Sequence, residues 1–326
     1  MTRLSIRLLG GFEVELDGAP VTRFTTDKAR ALLAYLAVEA GRAHPREALA
    51  GLLWPEQPEP RARQSLRQAL SHVRQALRDE PHTAQPFILV QQESIQFNPH
   101  SDHWLDVAAF TALAEERHHH RHRSPAGCVP CLRRAERMAG LYRGQFLAHF
   151  SLRDSGPFEE WAMLEGEWLQ REMTEALAQL SDFYERRGEY RAAQEWAYRQ
   201  LALDPWREEA HQQVMRLLAR AGQRSAALAQ YERCRRALAE ELGIEPSGEM
   251  QALRQAILAG EEPPEEPVRP VLCAPLPLAP TPFVGREAER ARLAEHLADP
   301  DCRLVALVGA GGVGKTRLAL QVADEQ

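Results

Sequence analysis

Apolar and polar residues alternate with period two over residues 4 to 16, LSIRLLGGFEVEL, on either side of Gly10-Gly11. That pattern predicts two short strands joined by a tight turn. From Asp27 to Ala40 the period changes. Ala29, Leu32, Leu33, Leu36 and Ala37 fall on one helical stripe, with Gly41 as the expected C-terminal stop. A second helix is expected to start at Pro45, as a first-turn proline, and to reach Trp54 with Leu49, Leu52 and Leu53 inward. The stretch PEQPEP, residues 55 to 60, reads as a stiff loop that cannot be helical. A third helix follows from about Arg61 to Arg78. Then FILVQQESIQF, Phe87 to Phe97, reads as a hairpin turning near Gln92 to Ser94. Strands, three helices and a closing hairpin make the outline of a winged helix.

From Leu105 to about Gly260 the pattern is almost entirely helical, and it repeats. Gly188-Glu189-Tyr190 and Ala192-Ala193 return as Gly222-Gln223-Arg224 and Ala226-Ala227, a spacing of 34 residues. Leu180 corresponds to Val214, Tyr184 to Leu218 and Ala197 to Tyr231. A 34-residue period with small residues at the helix crossing is the tetratricopeptide signature. Residues 261 to 282 are proline-rich and lack a core-forming pattern, so they read as a linker. The expected fold is therefore mainly α. A winged helix (α+β) occupies 1–103 and a helical, tetratricopeptide-like activation domain 104–260. After the 261–282 linker, 283–326 reads as the incomplete start of an α/β P-loop domain.

Composition narrows the setting. The 326 residues are 44% hydrophobic and 26% charged, a soluble globular composition rather than a disordered one. No apolar run approaches the length of a membrane span, and the N-terminus lacks the apolar stretch of a signal peptide. Five unevenly spread cysteines form no disulfide framework, so a reducing cytoplasm and no membrane partner are expected. The net charge of −6 advertises no nucleic acid globally, so any basic surface must be local. Among 40 lysines and arginines only Lys28 and Lys315 are lysine, so arginine richness by itself says little.

The third helix carries the strongest chemical signal. Leu66, Leu70, Val73 and Leu77 share one narrow stripe that must be core. Opposite lie Gln64, Gln68, Ser71, His72 and Gln75, with Arg67 and Arg78 to one side and Arg61 beside His72. Outward amides flanked by guanidinium groups are what major-groove reading requires. Glutamine bonds an adenine edge in two places, and arginine bonds a guanine edge or a phosphate. A merely solvated face, arginine-rich by bias and glutamine-rich by helix propensity, is the plain alternative. Its place after two short helices and before a hairpin favours DNA reading by all eight residues.

The first hundred residues resemble the OmpR/PhoB-type winged helix of the SARP/AfsR family of bacterial transcriptional activators. The segments that carry the resemblance are LLGGFEVELDG, DKARALLAYLAVEAGR and REALAGLLWPEQPEPRARQSLRQALSHVRQALR. LYRGQFLAHFSLRDSGPFEEW and RRGEYRAAQEWAYRQLALDPWREEAH extend it through that family's bacterial transcriptional activation domain, to about residue 260. The resemblance implies binding to double-stranded promoter DNA, often at direct repeats, and recruitment of RNA polymerase. It also implies that Trp54 to Pro60, with Glu56 and Glu59, faces the polymerase. One departure is that the hairpin tip, Gln91 to Ser94, carries no arginine. Wing contacts are thus in doubt, and more of the affinity should fall on the third helix.

Three further features belong to other chemistries. Glu159, Glu160, Glu165 and Glu167 cluster near Trp161 and Trp168, but acids on amphipathic helices are usually solvated, so no catalytic pair and no enzyme is expected. The repeats suit protein contacts: self-association on tandem sites, the polymerase or a downstream ATPase. Cys128-Val129-Pro130-Cys131 follows His118, His119, His120 and His122; a structural zinc site usually brings two fixed pairs, and this histidine run reads as a loop, so no metal is assigned. GAGGVGKT, residues 309 to 316, matches the P-loop pattern between an expected strand (RLVALV) and an expected helix. Gly309, Gly311, Gly312 and Gly314 would wrap phosphates, Lys315 would reach the outer ones and Thr316 would ligate magnesium. By resemblance to signal-transducing AAA-like ATPases, TPFVGREAER would lie near the adenine. With ten residues after Thr316, no second strand supplies a catalytic carboxylate. The reading is the front edge of a nucleotide-binding domain in a truncated regulator, with no required cofactor, weak ATP/Mg binding and no hydrolysis. The competing readings are an ATP-dependent signalling switch and a scaffold whose winged helix contacts protein.

Overall fold

Strand β1 (Leu4–Arg7) pairs antiparallel with β2 (Glu13–Leu16), in register Leu4 with Leu16 and Ile6 with Val14. The alternation places Leu4, Ile6, Val14 and Leu16 in the core. Between the strands Gly10 and Gly11 take φ of 110° and 137°, and a Cβ on Gly10 would meet Arg143 at 3.1 Å, so both conformation and space require glycine there. A computed structural model describes residues 3–79, 85–120, 128–261, 285–298, 306–308 and 314–324. The chain divides into two units, 1–264 and 265–326.

After a two-residue strand β3 (Ala19–Pro20), helix α1 (Asp27–Val38) starts on Thr26, whose hydroxyl accepts from the Ala29 amide. It ends before Gly41, which is not left-handed; the Glu39 N–H closes the helix on the Tyr35 carbonyl instead. His44–Pro45 form strand β4, so Pro45 caps helix α2 (Arg46–Leu53) rather than opening it. Helix α3 runs Glu59–Leu77, with Pro58 as its cap. Pro60 is therefore helical, contrary to the loop expected through residue 60: a first-turn N–H has no helical partner, so a proline there loses nothing. Arg78 stops α3 in the left-handed region at φ 52°. Strands β5 (Ile88–Val90) and β6 (Ser94–Phe97) make the predicted hairpin, and β4 joins it through His44–Ile95 and Pro45–Ser94. Helices α1, α2 and α3 pack together beneath this wing.

Strand β7 (His103–Leu105) returns to lie parallel to β1, giving the sheet order β3-β2-β1-β7. It leads directly into α4 (Asp106–His119), followed by α5 (Val129–Leu141) and the 31-residue α6 (Gly156–Arg186). Helices α7 (Tyr190–Leu203), α8 (Glu208–Arg220), α9 (Arg224–Glu241) and α10 (Gly248–Ala259) complete the unit. The 34-residue period is visible in the backbone. Helix α6 ends at Arg186 and α8 at Arg220; α7 starts at Tyr190 and α9 at Arg224. Gly188 and Gly222 share φ of 73°, and Ala193 and Ala227 are both fully buried at the crossings.

One core runs from Leu4 through Leu180, so the winged helix and the first helices of the activation domain are not separately packed. Asp106 is the pivot. It is 1% exposed, and its carboxylate accepts from the N–H of Leu8 and Leu9 at 2.9 Å and of Val107 at 2.8 Å. Burial lifts this carboxyl above its ordinary value, against the pull of those three N–H groups and of Arg143. Around it the Leu147 N–H bonds the Leu8 carbonyl and the Gly10 N–H bonds the Gln145 carbonyl. The Ser155 hydroxyl donates to the Leu53 carbonyl, and Tyr35 meets Trp161 edge to face at 4.9 Å.

In the second unit, α11 (Glu287–Ala298) and α12 (Lys315–Asp324) share a small core of Leu293, Leu318 and Val322. Residues 306–308 form no strand, and the expected strand's first half (303–305) lies outside the described residues, as does the expected 261–282 linker from residue 262 on.

Two outcomes are expected. Asp106→Ala strands the buried Leu8 and Leu9 N–H groups at about 1–3 kcal/mol each, so denaturant unfolding of the variant should show a loss of roughly 3–5 kcal/mol. His211, buried between the Pro205 carbonyl (2.8 Å) and the Gln230 amide (2.7 Å), is held below its ordinary value by burial, with Arg233 adding to the effect. Below pH 6.5 the unfolded chain therefore takes up a proton that the folded chain refuses, and stability is lost as pH falls. His211→Gln should flatten that acid slope, by about 1.4 kcal/mol per pH unit at most, in unfolding curves recorded at successive pH values.

Candidate nucleic-acid interface

Helix α3 buries Ala62, Leu66, Ala69, Leu70, Val73 and Leu77 against the other helices of the winged helix. The opposite face is bare. Arg61, Gln64, Arg67, Gln68, Ser71, Gln75 and Arg78 are all exposed. Among the described residues no carboxylate pairs with Arg61, Arg67 or Arg78. The other two arginines of the helix are engaged. Arg63 pairs with Glu59 at 2.6 Å, and half-buried Arg74 donates to the Ile88 carbonyl at 3.5 Å. His72 departs from the expected outward set: it is half-buried, and its Nδ1 is buried without a hydrogen-bond partner.

The wing supplies what its own sequence lacks. The tip, Gln91 to Glu93, is exposed and carries no cation. Yet Arg46, the first residue of α2, donates from Nη2 to the Gln91 carbonyl at 3.0 Å, and its N–H bonds the Glu93 carbonyl. The pairing of β4 with β6 delivers Arg46 there, a placement that no local sequence signal announces. At the other end of α3 a groove of about 800 Å³ is lined by Gln75 and Arg78 on one side and Thr22, Arg23 and Thr25 on the other. Arg23 is exposed and adds a second unanticipated cation.

The segment between α2 and α3 is only partly the acidic loop expected. Glu56 is exposed, but Glu59 is in the helix and paired with Arg63, and Trp54 is buried under the Lys28 ammonium at 5.8 Å. Lys28 also pairs with Asp154 at 2.8 Å. Among the four tryptophan-flanked carboxylates, Glu160 and Glu167 are exposed, whereas Glu159 is half-buried and accepts from the Leu152 N–H, and Glu165 is half-buried and pushed up by burial and by Glu39. In the second unit Gly314 is left-handed at φ 82° and Lys315 begins α12. Lys315, Arg286, Arg292 and His296 line one cavity of about 430 Å³. Gly309, Gly311 and Gly312 lie outside the described residues, as does the Thr316 side chain. Among the described residues no helix is long and apolar enough to cross a membrane.

Comparison with known proteins places this geometry. The family model for a transcriptional regulatory protein, C terminal, matches residues 23–93, and that for a bacterial transcriptional activator domain matches residues 105–258. Regulatory protein AfsR of Streptomyces griseus is 30% identical over 334 aligned residues, which cover 98% of this chain and 32% of that protein. The AfsR of Streptomyces coelicolor is 29% identical over 341, with the same coverage. The chain thus spans about a third of the length of the curated relatives it matches. The solved structure of Mycobacterium tuberculosis EmbR, in complex with a low affinity phosphopeptide, has a TM-score of 0.59 at 24% identity. It covers 82% of this chain and 67% of its own, and shares the fold. With the two regulatory domains in tandem and AfsR relatives aligned across both, the chain belongs to the SARP/AfsR family of bacterial transcriptional regulators.

Proposed function

We propose that the chain is a sequence-specific DNA-binding transcriptional activator that reads promoter DNA with α3. The observation that carries this reading is the row of exposed amides and guanidiniums on that helix, free of carboxylate partners among the described residues. Gln64, Gln68, Ser71 and Gln75 address base edges in the major groove, each good two-point contact discriminating by about 1–3 kcal/mol. Arg61, Arg67 and Arg78 grip phosphates or guanines, with Arg23 and Arg46 extending the grip to the flanks. Local cations on a chain of net charge −6 make affinity strongly salt-dependent while leaving the rest of the surface repelled by the duplex.

The helical half then serves protein contacts. The 34-residue recurrence of helix boundaries supports a tetratricopeptide-like scaffold, with RNA polymerase and a second copy on tandem sites as its partners. Left-handed Gly314 before Lys315, and Lys315 beside Arg286 in one cavity, support a phosphate-binding role for 309–316. On this reading the chain binds ATP/Mg weakly and does not turn it over.

Gln68→Ala should weaken binding to the preferred sequence by about 1–3 kcal/mol and leave binding to random DNA nearly unchanged. Arg67→Ala should weaken both alike and lower the salt slope by about 1. Fluorescence anisotropy on cognate and scrambled duplexes at several salt concentrations checks both. Equal loss on the two duplexes for Gln68→Ala would remove base reading from that position.

A further inference from the structure

The Cys-x-x-Cys segment, left unassigned by sequence, is where the fold adds most. The histidine run is not the free loop its composition suggests. His118 and His119 belong to α4, and the helix carries His120 to its C-terminal cap. Cys128 is the N-cap of α5, and Cys131 lies in that helix's first turn, 0% exposed. The His120 Nε2 stands 3.5 Å from the Cys128 Sγ, and these two atoms and the Cys131 Sγ all lie within 4.8 Å of one another.

That spacing has a chemical meaning. A tetrahedral zinc ion with Zn–S of about 2.3 Å and Zn–N of about 2.0–2.1 Å separates a sulfur from a nitrogen by about 3.5 Å, and two sulfurs by about 3.8 Å. We propose that at least His120, Cys128 and Cys131 bind a zinc ion that staples the end of α4 to the start of α5. Burial pushes the Cys131 thiol up, to about 11, and nearby positive charge offsets this only in part. The first turn of α5 contributes its N-terminal dipole and contains no acidic residue. Arg117 and Arg134 supply positive charge near Cys131, and each keeps a buried Nη1 without a hydrogen-bond partner. Two thiolates also cancel the charge of the ion, so the half-buried site carries no net charge. The nearby grouping of His118, Glu172 and Glu175 is different: its carboxylates are already engaged by Arg117 at 3.4 and 3.5 Å.

The test is made on the whole 326-residue chain, purified under reducing conditions through a handle that binds no metal. Elemental analysis should find about one zinc per chain, and Cys128→Ser should hold less than about a tenth of that. Serine is a favoured N-cap, so Cys128→Ser keeps α5 and the fold. His120→Ala should weaken zinc binding at least about tenfold. Cobalt(II) should give a thiolate-to-metal charge-transfer band in wild type and none in Cys128→Ser. A chelator should lower the wild-type Tm and leave that of Cys128→Ser unchanged. Wild-type protein without zinc and without the cobalt band, zinc content indifferent to Cys128→Ser, or a Cys128–Cys131 disulfide in the purified chain would each overturn the proposal.

Discussion

A single buried carboxylate joins the winged helix to the helical scaffold. Asp106, the first residue of α4, accepts from the Val107 N–H and, with the same carboxylate, holds the backbone of Leu8 and Leu9 at the end of β1. An isolated carboxylate is costly to desolvate, and three backbone donors are what make this one tolerable. The arrangement leaves little freedom. If α4 shifts, the acid loses its donors, and if β1 shifts, two buried N–H groups lose their acceptor. The first strand, the last strand of the sheet and the first helix of the scaffold therefore move as one body.

The consequence for function is orientation. Phe146, Phe158 and Trp161 extend the apolar core across the junction, and Ser155 and Lys28 both close on the Leu53 carbonyl at the end of α2. The junction thus covers the back of the winged helix and leaves the outer face of α3 open. A reading helix held this way is presented by the scaffold rather than tethered to it. On the proposed reading, any partner bound on α6 to α10 would have a defined position relative to the groove that α3 would enter, which is what an activator acting at fixed promoter spacing requires.

Much of this was legible in residue order, and the reasons are physical. The core stripe of α3, Leu66 to Leu77, is a 3.6-residue period, and the strands around Gly10-Gly11 are a two-residue period; both signals are local and strong. The 34-residue recurrence survived because each repeat must offer its neighbour the same small crossing residue, Ala193 and then Ala227. What was hidden is short or non-local. Strands β3 and β4 have two residues each and β7 three, too few to show a period. Arg46 reaches the wing only through the pairing of β4, and His120 meets Cys128 only because α4 runs on past the start of the histidine run. Pro60 misled in the opposite direction, since proline forbids a helix interior but not its first turn.

The central claim is that the open face of α3 meets the major groove. Selection of bound fragments from a genomic library, followed by dimethyl sulfate interference on the winning sequence, tests it most directly, because methylation of guanine N7 blocks that groove alone. The account predicts an enriched sequence in which methylated guanines at a few clustered positions abolish binding. Recovery of no common sequence, or of one whose binding is indifferent to N7 methylation, would contradict it.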